Sequence, residues 1–108
     1  AIEMKNMFSE CSLLTSVDFS NFNSSSNKYL GNIFYKCTSL ETIDLSPLKN
    51  IYQLDNSFMG CTSLKSITFP DLQNVQNMAN MFSQCDSLIS IDLTIYYTWK
   101  ECLIYAVH

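Results

Sequence analysis

The sequence predicts a single repeat domain built as a solenoid, with about four α/β-type coils of 24–26 residues. Each coil is expected to supply a short parallel strand and a helical turn. Three observations carry this. Four cysteines, Cys11, Cys37, Cys61 and Cys85, are separated by 26, 24 and 24 residues. Around them the same residue types recur at fixed offsets: Phe8, Phe34, Phe58 and Phe82 three residues before, Leu14, Leu40, Leu64 and Leu88 three after, and Val17, Ile43, Ile67 and Ile91 six after. Phe19, Leu45, Phe69 and Leu93 follow at eight. A fixed period in the twenties means that each unit buries its apolar face only against its neighbours.

Within one coil the strand comes first. In Thr42-Ile43-Asp44-Leu45 apolar and polar residues alternate, so Ile43 and Leu45 face in while Thr42 and Asp44 face out. Ser46-Pro47 ends this strand and Pro70 ends the next, because proline has no N–H for a ladder bond. Leu48 and Leu72 follow as inward plugs. Ile51, Leu54, Ser57 and Phe58, then Val75, Met78, Met81 and Phe82, have the spacing of a short helical face.

Two polar columns accompany the apolar ones. Asn6, Asn32, Asn56 and Asn80 stand five residues before each cysteine, where they are expected either to cap a short helical turn or to bond amide to amide from coil to coil. Ser26, Asn50, Asn74 and Thr98 would cap a longer helix. Cys11, Cys37, Cys61 and Cys85 are expected to form a buried, reduced ladder, acting as small hydrophobes. No Cys-x-x-Cys pair exists and the one histidine is His108, so neither a disulfide framework nor a metal site is expected.

Residues 94–108 depart from the repeat, yet Tyr96, Trp99 and Cys102 keep its frame. They are expected to form a degenerate half-coil or C-terminal cap, with Thr98-x-x-Glu101 as a capping box. At the other end Met4 and Met7 already occupy core positions, which suggests part of a longer chain and leaves self-association through an uncapped N-terminal face open.

Composition narrows the function. The 108 residues carry a net charge of -4 with six scattered basic residues, which argues against a nucleic-acid partner. No apolar run is long enough to insert this segment in a membrane. Only Gly31 and Gly60 are present, so there is no phosphate loop, and no Ser-His-acid set forms away from His108. No enzyme, cofactor or catalytic residue is therefore expected.

The run Phe34 to Ser46 has the form Phe-x-x-Cys-x-Ser-Leu followed by Ile-Asp-Leu-Ser, and Phe58 to Pro70 repeats it most closely. These motifs resemble the repeat of BspA-like leucine-rich-repeat surface proteins. Met78 to Cys85 is similar to the Met-rich variant in lipoprotein-like members. The first coil departs from the pattern, with Leu13 in place of Ser and a Ser/Asn-rich insertion, Asn23 to Asn27. The resemblance covers Met4 to Leu93 and implies a surface-exposed or secreted binding and adhesion scaffold.

The expected binding face is the outward side of the strands, in two columns: Ser16, Thr42, Ser66 and Ser90, then Asp18, Asp44, Thr68 and Asp92. Stacking would place Asp18 over Asp44 at about 5 Å. Such a face suits a protein or glycan ligand. Unpaired cysteines point instead to an intracellular interaction scaffold, and a block that merely spaces other domains is the third class. Asn23-Ser24-Ser25 is an N-glycosylation acceptor pattern in the inserted loop.

Overall fold

The computed structural model describes residues 1–92. The expected cap at 94–108 and the Thr98 position lie outside the described residues.

Among the described residues six short strands form two parallel sheets. Strands β1 (Ile2–Glu3), β2 (Lys28–Tyr29) and β4 (Ile51–Gln53) make one, in the order β1-β2-β4, and the bridge Gln53↔Asn77 extends it into the fourth coil. Strands β3 (Thr42–Asp44), β5 (Ser66–Thr68) and β6 (Ser90–Asp92) make the other, in the order β3-β5-β6. The second sheet lies where the alternation of apolar residues predicts it. Its register is regular: Thr42 pairs Ser66 and Ser66 pairs Ser90, with Asp44, Thr68 and Asp92 two residues on.

The first sheet corrects the expected helical face. Ile51–Gln53 is extended, and the residues after it run in consecutive tight turns; among the described residues there is no helix. Hence none is long and apolar enough to cross a membrane. The hydrogen bonds explain why a helix loses. In the third coil the N–H groups of Ser57, Met59 and Cys61 donate to the carbonyls three residues back, on Leu54, Asn56 and Phe58. The N–H groups between them, on Asn56, Phe58 and Gly60, donate to Ala79, Met81 and Ser83 of the next coil. No amide is left for the i−4 bond that defines an α-helix. The same alternation occurs in the first and second coils. Turns closing every three or so residues also bring every third residue inward, which imitates helical spacing.

This pattern accounts for the asparagine column. Asn6, Asn32, Asn56 and Asn80 have φ of 61, 59, 55 and 56°, in the left-handed region that Asn tolerates better than most residues. The column is structural through its backbone rather than through a helix cap or an amide ladder. A second left-handed column, Glu10, Lys36, Gly60 and Gln84, precedes the cysteines. Amide-to-amide bonding does occur, but in the other polar column, where Asn74 Nδ2 donates to Asn50 Oδ1 at 3.2 Å. Because Ser replaces Asn well at a cap but poorly at positive φ, Asn56→Ser should cost about 1 kcal/mol while Asn56→Gly costs little. Urea melts of the two variants check this; equal stability of the Ser variant and the parent would restore the cap.

The core lies between the two sheets and the turns. Phe8, Phe34, Phe58 and Phe82 stack in one column with centroids 5.5, 5.6 and 6.5 Å apart. Phe69 packs edge-on against Phe58 and Phe82 at 6.1 and 6.2 Å. Around them Leu40, Leu45, Leu48, Ile51, Leu54 and Leu64 are fully buried.

The first coil departs from the rest. Thr15–Asp18 forms no strand and makes no ladder bond to β3. Ser16 and Asp18 are therefore not part of the β3-β5-β6 face, and Asp18 does not stack in register over Asp44. The departure falls in the coil whose sequence departs, between Leu13 and the insertion at Asn23 to Asn27.

Candidate binding face

The outward side of β3 and β5 presents Thr42 and Asp44, which are exposed, beside Ser66 and Thr68, which are partly so. Strand β6 brings the backbone of Ser90 and Asp92 into the same rows. Six of the eight expected residues thus share one sheet, and Ser16 and Asp18 do not.

The recurring aspartates also have a local duty. Asp44 Oδ1 accepts the N–H of Ser46 at 2.9 Å, and Asp18 Oδ1 accepts that of Ser20 at 2.9 Å. These are Asx turns, in which a carboxylate closes the bend that follows it. The Ser20 N–H and hydroxyl hold the Asp18 carboxyl below the usual carboxylate range. Thr68 interrupts the acidic row for a visible reason: two residues on stands Pro70, which has no N–H for a carboxylate to accept. The turn there is made one step later, where Asp71 Oδ1 accepts the N–H of Gln73 at 3.0 Å.

The cysteine column is ordered by its protons. Cys37 Sγ donates to Phe8 O, Cys61 Sγ to Phe34 O and Cys85 Sγ to Phe58 O, each at 3.0 Å. Each of those carbonyls also accepts the N–H of the cysteine in its own coil. The thiol therefore fills the second lone pair of a buried carbonyl, which an apolar side chain of the same size cannot do. Burial pushes the thiols up, to about 11 for Cys37 and Cys85 and about 12 for Cys61. The expectation of four buried thiols holds for Cys37 and Cys61: Cys85 is half-buried, and Cys11 is exposed, without the Phe carbonyl that each later thiol meets. Titration with a thiol reagent is expected to find Cys11 fast and Cys37 and Cys61 slow until the chain unfolds. Fast reaction of Cys61 in the folded protein contradicts the ladder.

Lys28 is the residue that sequence reasoning missed. It is fully buried, in register with Ile51, and its ammonium donates to the carbonyls of Ser24, of Ser26 at 3.1 Å and of Lys49 at 2.8 Å. All three protons are used, with no carboxylate among the acceptors. The ammonium pins the inserted loop onto the second coil, and Asn50 Nδ2 helps by donating to Ser25 O at 2.5 Å. Burial first, and the charge of Lys49 second, push the Lys28 pKa down. The only available signal was its place at the end of the two-residue insertion.

These shifts give opposite pH effects. A thiol whose pKa is raised by folding contributes fully below the ordinary value of 9.0, and that contribution is lost as pH rises toward 11–12. Lys28, lowered from 10.5, is penalised at lower pH and relieved as pH rises to 10.5. Of Lys28 and these three thiols, the thiols still titrate above 10.5. Stability should therefore fall between pH 10.5 and 11.5, and fall less in Cys61→Ala, as read from urea midpoints at about those two values.

Two further surface features flank the sheets. On the other side Tyr29 and Tyr52 pack with ring centroids 5.9 Å apart, Lys5 lies 5.7 Å over Tyr29 and Lys36 lies 5.2 Å over Tyr35. Met59 is half-buried beside them in sequence frame. Along the turns that follow β3 and β5 a cleft of about 320 Å³ is lined by Ser46, Leu48, Lys49, Asn50, Pro70, Asp71, Gln73 and Asn74.

The family model described as the BspA type leucine-rich repeat region (6 copies) matches residues 4–102. The chain belongs to the BspA-type leucine-rich-repeat family. No curated protein and no solved structure matches it. The recurring Phe and Cys of this chain supply the stacked rings and, from Cys37 onward, the carbonyl-bonded thiols described above.

Proposed function

We propose that this BspA-type repeat domain is a non-catalytic binding module of a surface or secreted protein, a solenoid that holds a protein or glycan ligand against the outward face of β3, β5 and β6. The observation that carries the reading is the regular register of that sheet. It sets hydroxyl groups of Thr42 and Ser66 in one row, and the Asp44 carboxylate and Thr68 hydroxyl in the next, without a bulge. Evenly spaced small polar groups suit a repeating partner, and membership in a leucine-rich-repeat family supports protein binding in general. Asp44→Asn retains an Oδ1 for the Ser46 N–H, so it alters the face while sparing the turn.

Screening on a glycan array and against immobilised cell-surface proteins tests this. Capture should weaken in the Asp44→Asn, Ser66→Ala double variant. Capture that survives there but disappears in Tyr35→Ala, Met59→Ala moves the site to the tyrosine side. The free thiols of Cys11, Cys37, Cys61 and Cys85 favour a second reading, an intracellular scaffold in a reducing compartment. Protease treatment of intact source cells separates the two, because only a surface protein is cleaved.

A further inference from the structure

We propose that the cleft along the turns after β3 and β5 is a binding subsite for one carboxylated sugar residue, separate from the strand face. The cleft exists because two coils part there. Leu45 N–H donates to Thr68 O at 2.8 Å before the turns, and Gln76 N–H donates to Tyr52 O at 2.8 Å after them. Between these rungs no backbone bond joins the two coils. Pro47 and Pro70 each leave a turn one donor short. The other side of the Lys49-Asn50 turn is closed: Lys28 N–H donates to Asn50 O, the Lys28 ammonium to Lys49 O, and Asn50 Nδ2 to Ser25 O. Across the open side, among the described residues, one side-chain bond spans the gap, from Asn74 Nδ2 to Asn50 Oδ1.

The walls specify the ligand. A volume of about 320 Å³ is more than a bare carboxylate fills and suits a small ring. Asn50 stands at φ 57° with its amide held at both ends, so its second Nδ2 proton is set in advance. Asn74 Oδ1 is an acceptor without a donor among the described residues. With the Ser46 hydroxyl, these groups serve ring hydroxyls, while Leu48 and Pro70 suit the apolar face of a sugar. The charge comes from Lys49. Its ammonium has no ion pair among the described residues, and it acts on the Lys28 ammonium, which is bonded to carbonyls alone. Two ammonium groups without a carboxylate partner make a local positive field in a chain of net charge -4. All three Lys28 protons are already used, so Lys49 alone is left to bond an anion, which matches the single charge of a carboxylate. Asp71 on the opposite wall disfavours a doubly charged phosphate.

Titrations with glucuronate, glucose, acetate and a short peptide with a free C-terminus, followed by amide chemical shifts, test this. Glucuronate should move the amides of Lys49, Asn50, Asp71 and Asn74 and bind about tenfold more tightly than glucose or acetate. Lys49→Gln should abolish the preference over glucose. The fold is spared, because the Lys49 side chain is exposed and Lys28 uses only the carbonyl of that residue. Asp71→Asn keeps an Oδ1 for the Gln73 N–H and should tighten glucuronate about twofold. Glucose or acetate binding as tightly as glucuronate, a preference unchanged in Lys49→Gln, or shifts confined to the β3-β5-β6 face overturns the proposal. So does tighter binding of the peptide, which would then be the occupant. Glucuronate binding should persist in the Asp44→Asn, Ser66→Ala variant, and its loss there overturns a site separate from the strand face.

Discussion

Phe58→Ala is expected to destabilise the chain by about 3–5 kcal/mol, enough to unfold most of a domain this small. Phe58 is completely buried, stacked between Phe34 and Phe82 and touched edge-on by Phe69. Truncation opens a void in the middle of the aromatic column, and coils held only by their neighbours have no other contact to compensate. Asp44→Ala loses one exposed Asx-turn bond and should cost about 0.5–1 kcal/mol. Urea unfolding of both variants makes the comparison, and similar midpoints for the two contradict the central role of the stack.

Lys28→Met should be the next most damaging change, at about 2–4 kcal/mol, although it swaps a charge for an apolar side chain of similar length at a buried position. Ordinarily such a swap is tolerated or helpful. Here it leaves the carbonyls of Ser24, Ser26 and Lys49 without their donor. Hydrogen exchange should reveal loss of order confined first to the inserted loop, with urea melts giving the total. A Met variant as stable as the parent means that the ammonium does not hold this loop.

Much of the coil was legible because repetition turns single residues into columns. Four phenylalanines at one offset identify a stacked core more firmly than any one of them does, and the alternation at Thr42 to Leu45 places β3. The helical face was misread because tandem turns and helices both bring every third residue inward. What distinguishes them is the sign of φ, and the recurring asparagines were the available clue. The outward aspartates were legible as a column but not as Asx turns; the pairing of Thr68 with Pro70, against Asp44 with Ser46, carries that information. Ser16 and Asp18 illustrate the opposite case, in which the pattern is intact and the strand is not formed. Lys28 was hidden because no repeat shares its duty. Its three acceptors are backbone carbonyls, which leave no mark in the sequence.

The alternation of amide bonds through the turns is what separates this fold from a helical one. Nuclear magnetic resonance can detect it directly through scalar couplings across hydrogen bonds. The couplings expected run from the Asn56, Phe58 and Gly60 amides to the Ala79, Met81 and Ser83 carbonyls of the next coil, with positive φ at Asn56 and Gly60. Couplings from these amides to carbonyls four residues back in their own coil, with negative φ at Asn56, would show a helix in place of the turns and contradict it.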